Sequence, residues 1–317
     1  MKTWLSSFVL LLTVSGVAMA KPDLSQPLGP TLADRGSAHY QFTQHTLSSA
    51  DHHRHYRIWV AVPTRAAPVS GYPVLYLLDG NAALGALQEE QLADLDRLGP
   101  PVLVFVGYAT ALRFDPTARA YDYTPPLPGG EPVIDDINRQ RLGGGADVFL
   151  DLLEERIKPL AQSQARIDLQ RQSLWGHSYG GLLTLHALFT RPDSFQRYIA
   201  ADPSLWWQGG FILQEAQAFI TRDQAFDLTL LIGGATRKHS PAGRDDPDVR
   251  ARREAIAAVP ANAAEQLAGR LAAIAHAIVR YRRNPELSHG AMLPASLGPA
   301  LRLSAGDDAA VARVIAQ

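Results

Sequence analysis

The sequence predicts an α/β protein with a mainly parallel, doubly wound central sheet and helices on both faces. Short, continuous apolar runs rich in branched and aromatic residues recur along the chain, bounded by Gly, Pro or polar residues. Runs of this kind are typical of strands that are buried on both faces. Helical patterns separate most of the runs, and strands that alternate with helices favour parallel pairing.

The predicted elements follow in chain order. An irregular arm at 21–37 precedes a hairpin, whose strands at 40–47 and 56–62 flank a charged turn at 51–55. Buried strands are predicted at 73–78, 102–106, 172–175, 198–200, 228–232 and 278–281. Helices are predicted at 82–98, 147–160, 179–190 and 263–275, with one more after residue 289. Two long irregular segments, 107–145 and 233–250, follow strand ends, where sheets of this class place their sites.

Composition excludes several classes of function. The 30 basic and 31 acidic residues give a net charge of -1, so we expect no nucleic-acid partner and no attraction to an anionic membrane. The absence of cysteine excludes disulfides, thiolate metal sites and cysteine nucleophiles. No internal repeat or low-complexity linker divides the chain, so residues 21–317 are expected to form a single domain.

The first twenty residues have the pattern of a signal peptide. Lys2 precedes an apolar run, and Ala18-Met19-Ala20 forms a small-x-small cleavage site before Lys21. We expect cleavage after Ala20 and a periplasmic protein, with secretion into the medium as the alternative. The other alternative, a membrane anchor that is kept, is disfavoured because the apolar run is shorter than the ~20 residues that a bilayer span needs, and no second apolar run could span a membrane.

The strongest chemical signal is a nucleophile elbow centred on Ser178. Gly176-His177-Ser178-Tyr179-Gly180 is a G-x-S-x-G pattern that directly follows a predicted strand and directly precedes a predicted helix. Glycines two residues on either side of the serine let neighbouring backbone pass closely, and the helix N-terminus stabilises negative charge beside the hydroxyl. We therefore expect Ser178 to be the nucleophile of an acyl-transfer reaction.

A serine nucleophile needs a base, and His289 is the best candidate. It lies just past the last predicted strand and before a C-terminal helix, which is where this class of serine hydrolase places its histidine. His239, in the loop after the preceding strand, is the alternative, and His186 inside the elbow helix is expected to be packed or at the surface.

An acid that orients the base is harder to find. It is expected after strand 228–232, where no carboxylate follows directly. Asp245 and Asp246 come later, in a loop rich in Pro and Gly, and are typical of solvated charges. A Ser-His dyad without an acid is therefore slightly favoured over a triad completed by Asp245 or Asp246.

The oxyanion of the reaction is expected to bind to backbone N–H groups. Tyr179, directly after the nucleophile, supplies one group, and Gly80 or Asn81 in the turn after strand 73–78 supplies the other. The alternative for this second segment is an ordinary Asp-Gly turn. The chemistry needs no cofactor and no metal ion.

Several motifs in combination resemble a known family. They are Tyr76-Leu-Leu-Asp-Gly-Asn81, Arg113-Phe-Asp115, Arg119 with Tyr121-Asp-Tyr-Thr-Pro125, Gly176-His-Ser-Tyr-Gly-Gly181, Asp202-Pro-Ser-Leu-Trp-Trp207 and Ser288-His-Gly-Ala-Met292. They resemble the putative-esterase branch of the α/β-hydrolases, most of all the periplasmic siderophore trilactone esterases. The resemblance implies an α/β-hydrolase fold, hydrolysis of a catecholate cyclic triserine siderophore such as enterobactin, and iron release. Family members can work with a Ser-His dyad. Asp202 departs from the pattern, which has a small residue at that position.

Four residues are candidates for binding such a substrate. Trp206 and Trp207 follow a strand end and can stack on catechol rings, or else pack into the core. Arg113 and Arg119 can bind catecholate oxygens, or else pair with Asp115 or Asp122. Two other functions stay open: a general or feruloyl-type carboxylesterase, and a non-catalytic binding protein with the same fold.

Overall fold

An eight-stranded sheet forms the centre of the structure. The computed structural model describes residues 27–130, 133–136, 140–222, 224–234 and 247–313. The strands of the central sheet are β1 (Tyr40–Ser48), β2 (His55–Pro63), β3 (Tyr72–Leu78), β4 (Val102–Tyr108), β7 (Ile167–His177), β8 (Arg197–Ala201), β9 (Phe226–Gly233) and β10 (Ala277–Asn284). A separate antiparallel hairpin consists of β5 (Val133–Asp136) and β6 (Arg141–Gly143).

The strand order makes the sheet mainly parallel. Its order is β1-β2-β4-β3-β7-β8-β9-β10, and every neighbouring pair from β4 to β10 is parallel. The first two strands are antiparallel to each other, and β2 is antiparallel to β4. The predicted hairpin and the predicted series of buried parallel strands are therefore confirmed, and the carboxyl ends of β3, β7, β8 and β9 lie side by side at one edge.

Helices cover both faces of the sheet. They are α1 (Leu32–Arg35), α2 (Gly80–Ala86), α3 (Glu89–Leu98), α4 (Pro116–Asp122), α5 (Ala146–Leu152), α6 (Lys158–Gln164), α7 (Tyr179–Thr190), α8 (Phe211–Ile220), α9 (Pro247–Ala257), α10 (Ala263–Ala272) and α11 (His289–Ser304). A π-helical turn, Leu153–Ile157, joins α5 to α6. Among the residues described, no helix is both long and apolar enough to cross a membrane.

Two hydrophobic cores sandwich the sheet. Along β3, Val74, Tyr76 and Leu78 belong to the core beneath α5, α7, α8 and α10, whereas Leu75 and Leu77 belong to the core beneath α2, α3 and α11. This alternation arises because successive side chains of a strand point to opposite faces. All seven residues of β3 are buried, and full burial of each large apolar side chain contributes about 1.5–3 kcal/mol.

The structure corrects several element boundaries. The helix predicted at 82–98 is two helices, because Leu87 and Gln88 adopt extended conformations and Gln88 begins α3 with a capping box. The segment 107–145, predicted to be irregular, contains α4 and the β5–β6 hairpin. The carboxylate of Asp115 caps α4 by accepting the N–H groups of Thr117 and Ala118. Segment 1–20 and residues 235–246 lie outside the described residues.

His186 forms a buried ionic cluster that joins three helices. This α7 residue has 1% of its surface exposed, its Nδ1–H donates to Glu215 of α8 at 2.8 Å, and its Nε2–H donates to Asp147 of α5 at 3.2 Å. Burial alone would lower the pKa of His186, but the hydrogen bonds and charges of Asp147 and Glu215 outweigh burial and raise that pKa to about 9. His186 is therefore an imidazolium near neutral pH.

We expect this cluster to make stability fall in mild alkali. The folded pKa of His186 lies above the value of about 6.5 for an unfolded histidine, so its contribution is complete below pH ~6.5 and is lost as the pH rises through about 9. The expected loss is on the order of 2–3 kcal/mol of unfolding free energy. Urea unfolding between pH 6 and 9 measures it, and His186→Gln should flatten that part of the profile.

His53→Gln is the matched control, because His53 is exposed in the turn before β2. Its profile should follow that of the parent protein. A full alkaline decline in the His186→Gln variant would contradict the assignment.

Candidate active site

Ser178 lies in a strained turn between β7 and α7. Its backbone has φ 61° and ψ -117°, a conformation that costs a non-glycine residue on the order of 1–3 kcal/mol. A β-carbon on Gly176 would collide with the backbone of Gly180, and one on Gly181 would lie 3.0 Å from the carbonyl oxygen of Ala201. The glycines therefore permit the close strand-helix approach that holds the serine in this conformation.

Three polar side chains form a hydrogen-bonded series that starts at this serine. The Ser178 hydroxyl lies 3.1 Å from Nε2 of His289, the first residue of α11. Nδ1 of His289 lies 2.7 Å from Oδ2 of Asp202, which follows β8 directly. The other carboxylate oxygen of Asp202 accepts the N–H of Gly233 at 3.1 Å. Since a carboxylate only accepts, Nδ1 carries a hydrogen and Nε2 is left as the acceptor for the serine hydroxyl.

The N-termini of two helices meet beside Ser178. Gly80 and Asn81 begin α2 after Asp79, whose φ is 50°, and Tyr179 begins α7. A β-carbon on Gly180 would lie 3.7 Å from the carboxylate of Asp79, so the two turns are in close proximity. The first N–H groups of a helix have no acceptor within the helix, and the helix dipole favours negative charge there. This arrangement suits the predicted oxyanion donors.

The side chain of Asn81 is hydrogen-bonded to the neighbouring loop. Its carbonyl oxygen accepts the N–H of Tyr108 at 3.0 Å. Its amide nitrogen donates to the carbonyl oxygens of Tyr108, Thr110 and Leu112 at 3.0–3.2 Å. The side chain thus supports the segment after β4, which leaves the backbone as the part of Asn81 suited to bind an oxyanion.

The two arginines that were expected to bind substrate differ in their interactions. Arg119 makes a bidentate ion pair with buried Asp79, with both N–O distances at 2.8 Å, rather than with Asp115 or Asp122. Its guanidinium carbon also lies 5.3 Å from the ring centroid of Tyr179. Arg113, by contrast, has no ion-pair partner among the residues described, and its buried Nε has no hydrogen-bond partner there.

The two tryptophans also occupy different environments. Trp207 is 2% exposed, and its indole N–H donates to Asp135 of β5 at 2.9 Å. Asp135 accepts the Tyr179 hydroxyl on the same oxygen at 2.8 Å, which ties the β5–β6 hairpin to the elbow. Trp206 is half-buried, and its ring centroid lies 6.1 Å from that of Tyr179. Of the pair, Trp206 presents the more accessible aromatic surface beside the elbow.

Comparisons with known proteins identify the family. The model of the family described as putative esterase matches residues 49–278. The chain belongs to this family.

Several proteins that are named as esterases or hydrolases are similar to the chain. It is 47% identical over 196 residues to the apo-salmochelin esterase of Escherichia coli O6:H1 strain CFT073, a match covering 62% of this chain and 61% of that protein. It is 36% identical over 210 residues to the ferri-bacillibactin esterase BesA of Bacillus subtilis strain 168, covering 63% and 72%. The solved complex of the enterobactin hydrolase IroE with DFP matches with 36% identity and a TM-score of 0.66, over 87% of this chain and 100% of that one. The fold of the chain is thus that of the IroE-like α/β-hydrolases.

The structure corrects the expectation that no carboxylate orients His289. Asp202 does so from the end of β8, one strand earlier than the expected position after β9. The order of elements along the chain does not reveal this contact, because the contact depends on β8 and β9 lying side by side. Asp245, Asp246 and the alternative base His239 lie outside the described residues.

Two residues of the series, Asp202 and His289, form with His177 a group whose spacing resembles a metal-binding site. Ligand atoms of His177, Asp202 and His289 lie within 4.8 Å of one another. Both nitrogens of His289 are engaged, one with the carboxylate and one with the serine hydroxyl, and Nε2 of His177 contacts the carbonyl oxygen of His289. A metal ion would have to break these hydrogen bonds, so the arrangement is better suited to moving a proton.

We expect Asp202→Asn to lower kcat for ester hydrolysis by about 10³–10⁴-fold. The amide would favour the His289 tautomer with its hydrogen on Nε2, which cannot accept a proton from Ser178. Steady-state kinetics with p-nitrophenyl acetate measures the loss, and thermal unfolding checks that the fold survives.

Asp245→Asn and Asp246→Asn provide the comparison, and each should change kcat by less than about tenfold. A large loss in either one, together with a nearly unchanged Asp202→Asn variant, would contradict the assignment.

Proposed function

We propose that this chain is a serine esterase that hydrolyses the ester bonds of a catecholate cyclic triserine siderophore and thereby releases iron. The observation that carries the proposal is the series Ser178–His289–Asp202 at a nucleophile elbow. A hydroxyl at 3.1 Å from an imidazole nitrogen, with a carboxylate on the opposite nitrogen, is the arrangement that activates serine for attack on an acyl carbon.

The geometry supports a two-stage mechanism. As Ser178 attacks the ester carbonyl carbon, its proton moves to Nε2 of His289, and Asp202 stabilises the imidazolium that forms. Backbone N–H groups of Tyr179 and of Gly80 or Asn81 bind the oxyanion. The tetrahedral intermediate collapses when its bond to the alkoxy oxygen of the ester breaks and His289 gives its proton to that oxygen, which leaves as an alcohol. Water then hydrolyses the acyl-enzyme by the same route, which regenerates Ser178.

The relatives support the choice of substrate. They are named as esterases of salmochelin, bacillibactin, triacetylfusarinine C and enterobactin, all of them siderophores. In this chain, Arg113 offers a guanidinium without an ion-pair partner among the described residues, and Trp206 offers a half-buried indole. A cationic group and an aromatic surface suit a substrate that carries anionic catecholate rings.

The two alternatives differ from the proposal in what they predict. A general or feruloyl-type carboxylesterase would use the same catalytic groups but would not depend on Arg113. A non-catalytic binding protein would have no need for an aligned serine, histidine and aspartate, so the site geometry favours an enzyme.

Export to the periplasm is the part of the proposal that rests on sequence alone. The signal-peptide pattern at 1–20 supports it, and N-terminal sequencing of the recovered protein tests whether the mature chain begins at Lys21.

Ser178→Ala tests the proposal directly. The purified protein should convert ferric enterobactin to linear and shorter products, followed by liquid chromatography and mass spectrometry. The variant should lose roughly six orders of magnitude in kcat. His289→Ala should be nearly as damaging, and the double variant no worse than either single one, because nucleophile and base act as a unit.

Turnover of p-nitrophenyl acetate without turnover of the siderophore would favour a general carboxylesterase. Retention of more than half the siderophore activity by Ser178→Ala would refute the nucleophile.

The arginines provide a matched pair for testing substrate recognition. Arg113→Gln should lower kcat/KM for the ferric siderophore by about 10- to 100-fold, equivalent to roughly 1.5–3 kcal/mol for a charge-assisted contact, and should spare p-nitrophenyl acetate. Arg119→Gln should impair both substrates, because it breaks the ion pair with Asp79 beside the oxyanion turn. Kinetics on both esters measures the difference. Equal losses on both esters for Arg113→Gln would mean that Arg113 supports the loop instead.

A further inference from the structure

His177 contacts the backbone of the catalytic base. It is the last residue of β7, immediately before Ser178, and is 5% exposed. Its Nε2 lies 2.8 Å from the backbone carbonyl oxygen of His289, and the two imidazole rings lie 4.7 Å apart with an interplanar angle of 38°. His177 does not itself transfer a proton in the proposed reaction, although its side chain lies against His289, which does.

The partner atom fixes the tautomer of His177. A carbonyl oxygen can only accept a hydrogen bond, so Nε2 carries the hydrogen. Burial lowers the pKa of His177 well below its ordinary value, and the proximity of His289 and Arg119 acts in the same direction. His177 is therefore neutral, and it places no charge beside His289 when that ring becomes an imidazolium.

The hydrogen bond from His177 completes the restraint of His289. Asp202 and Ser178 hold the two ring nitrogens and so set the orientation of the ring. His177 holds the backbone carbonyl at the first residue of α11 and so fixes where that helix begins relative to β7. Because His177 and Ser178 are adjacent, the same dipeptide carries the nucleophile and anchors the backbone of its base.

We propose that His177 is a positioning residue, which holds His289 at the distance from Ser178 that proton transfer requires by donating a hydrogen bond to the His289 carbonyl. The proposal rests on the proposed ester hydrolysis only for its kinetic consequence. The structural consequence does not depend on a substrate. It is that the orientation of the His289 ring, and the hydrogen bond of that ring to Asp202, depend on the donor of His177.

The kinetic test compares variants with and without a donor. His177→Gln places an amide N–H where Nε2 lies, whereas His177→Leu and His177→Phe remove the donor. The variants without a donor should lose about 10- to 100-fold in kcat on p-nitrophenyl acetate with KM within about twofold, because misplacement by about 1 Å has costs of this size. His177→Gln should retain kcat within about threefold. His45→Leu, on the outer strand β1, is the control and should behave as the parent protein.

A spectroscopic measurement makes the test independent of turnover. The proton shared by Nδ1 of His289 and Asp202 should give a far-downfield NMR resonance in the parent protein and in His177→Gln. In the variants without a donor, the resonance should broaden or vanish. Their melting temperatures should show that these variants are folded. If Leu at this position prevents folding, the Phe variant, which keeps a ring against His289, decides the comparison.

The outcomes separate the two proposals. If the parent protein hydrolyses no ester, the proposed function fails, and the resonance alone decides the role of His177. Unchanged kcat and an unchanged resonance in a folded variant without a donor would overturn the positioning role. So would equal losses in His177→Gln and His177→Leu, because the donor would then not be the feature that matters.

Discussion

The backbone conformation of Ser178 is the constraint on which the site depends. A non-glycine residue at φ 61° and ψ -117° is stable only where its surroundings enforce that conformation. Here β7 leads directly into α7, and Gly176 and Gly181 have no side chains to keep the two backbones apart. A β-carbon at Gly176 would force the turn open, and the hydroxyl would no longer meet Nε2 of His289. The parallel sheet fixes everything else relative to this turn.

Polar groups converge on the turn from separate elements, and each is anchored by buried contacts. Asp202 comes from the end of β8, and Gly233 at the end of β9 donates to it. Asp79, at the end of β3, pairs with Arg119, and its own N–H donates to the hydroxyl of Tyr123 at 3.1 Å. The site is therefore organised before a substrate arrives, and preorganised dipoles stabilise developing charge without reorganisation.

Local patterns in the sequence predicted the framework and the strand-turn-helix elbow at Ser178, whereas contacts between distant elements determined the rest. The buried strands and Ser178 follow from short stretches of residues, and the place of His289 follows from the order of elements. Asp202 departs from the family pattern, but its role depends on α11 and β8 meeting in space, since His289 and Asp202 are 87 residues apart in sequence. The ion pair of Arg119 with Asp79 and the hydrogen bond from Trp207 to Asp135 likewise join elements that are distant in sequence. The Asp115-Pro116 start of α4 was a local signal that could have been recognised.

The most direct test of this account is a crystal structure of the protein after reaction with diisopropyl fluorophosphate. The account predicts phosphorus bonded to Oγ of Ser178, with a phosphoryl oxygen within hydrogen-bond distance of the N–H of Tyr179 and of Gly80 or Asn81, and with Asp202 still bonded to Nδ1 of His289. An adduct on another residue, or a phosphoryl oxygen directed away from both helix N-termini, would contradict it.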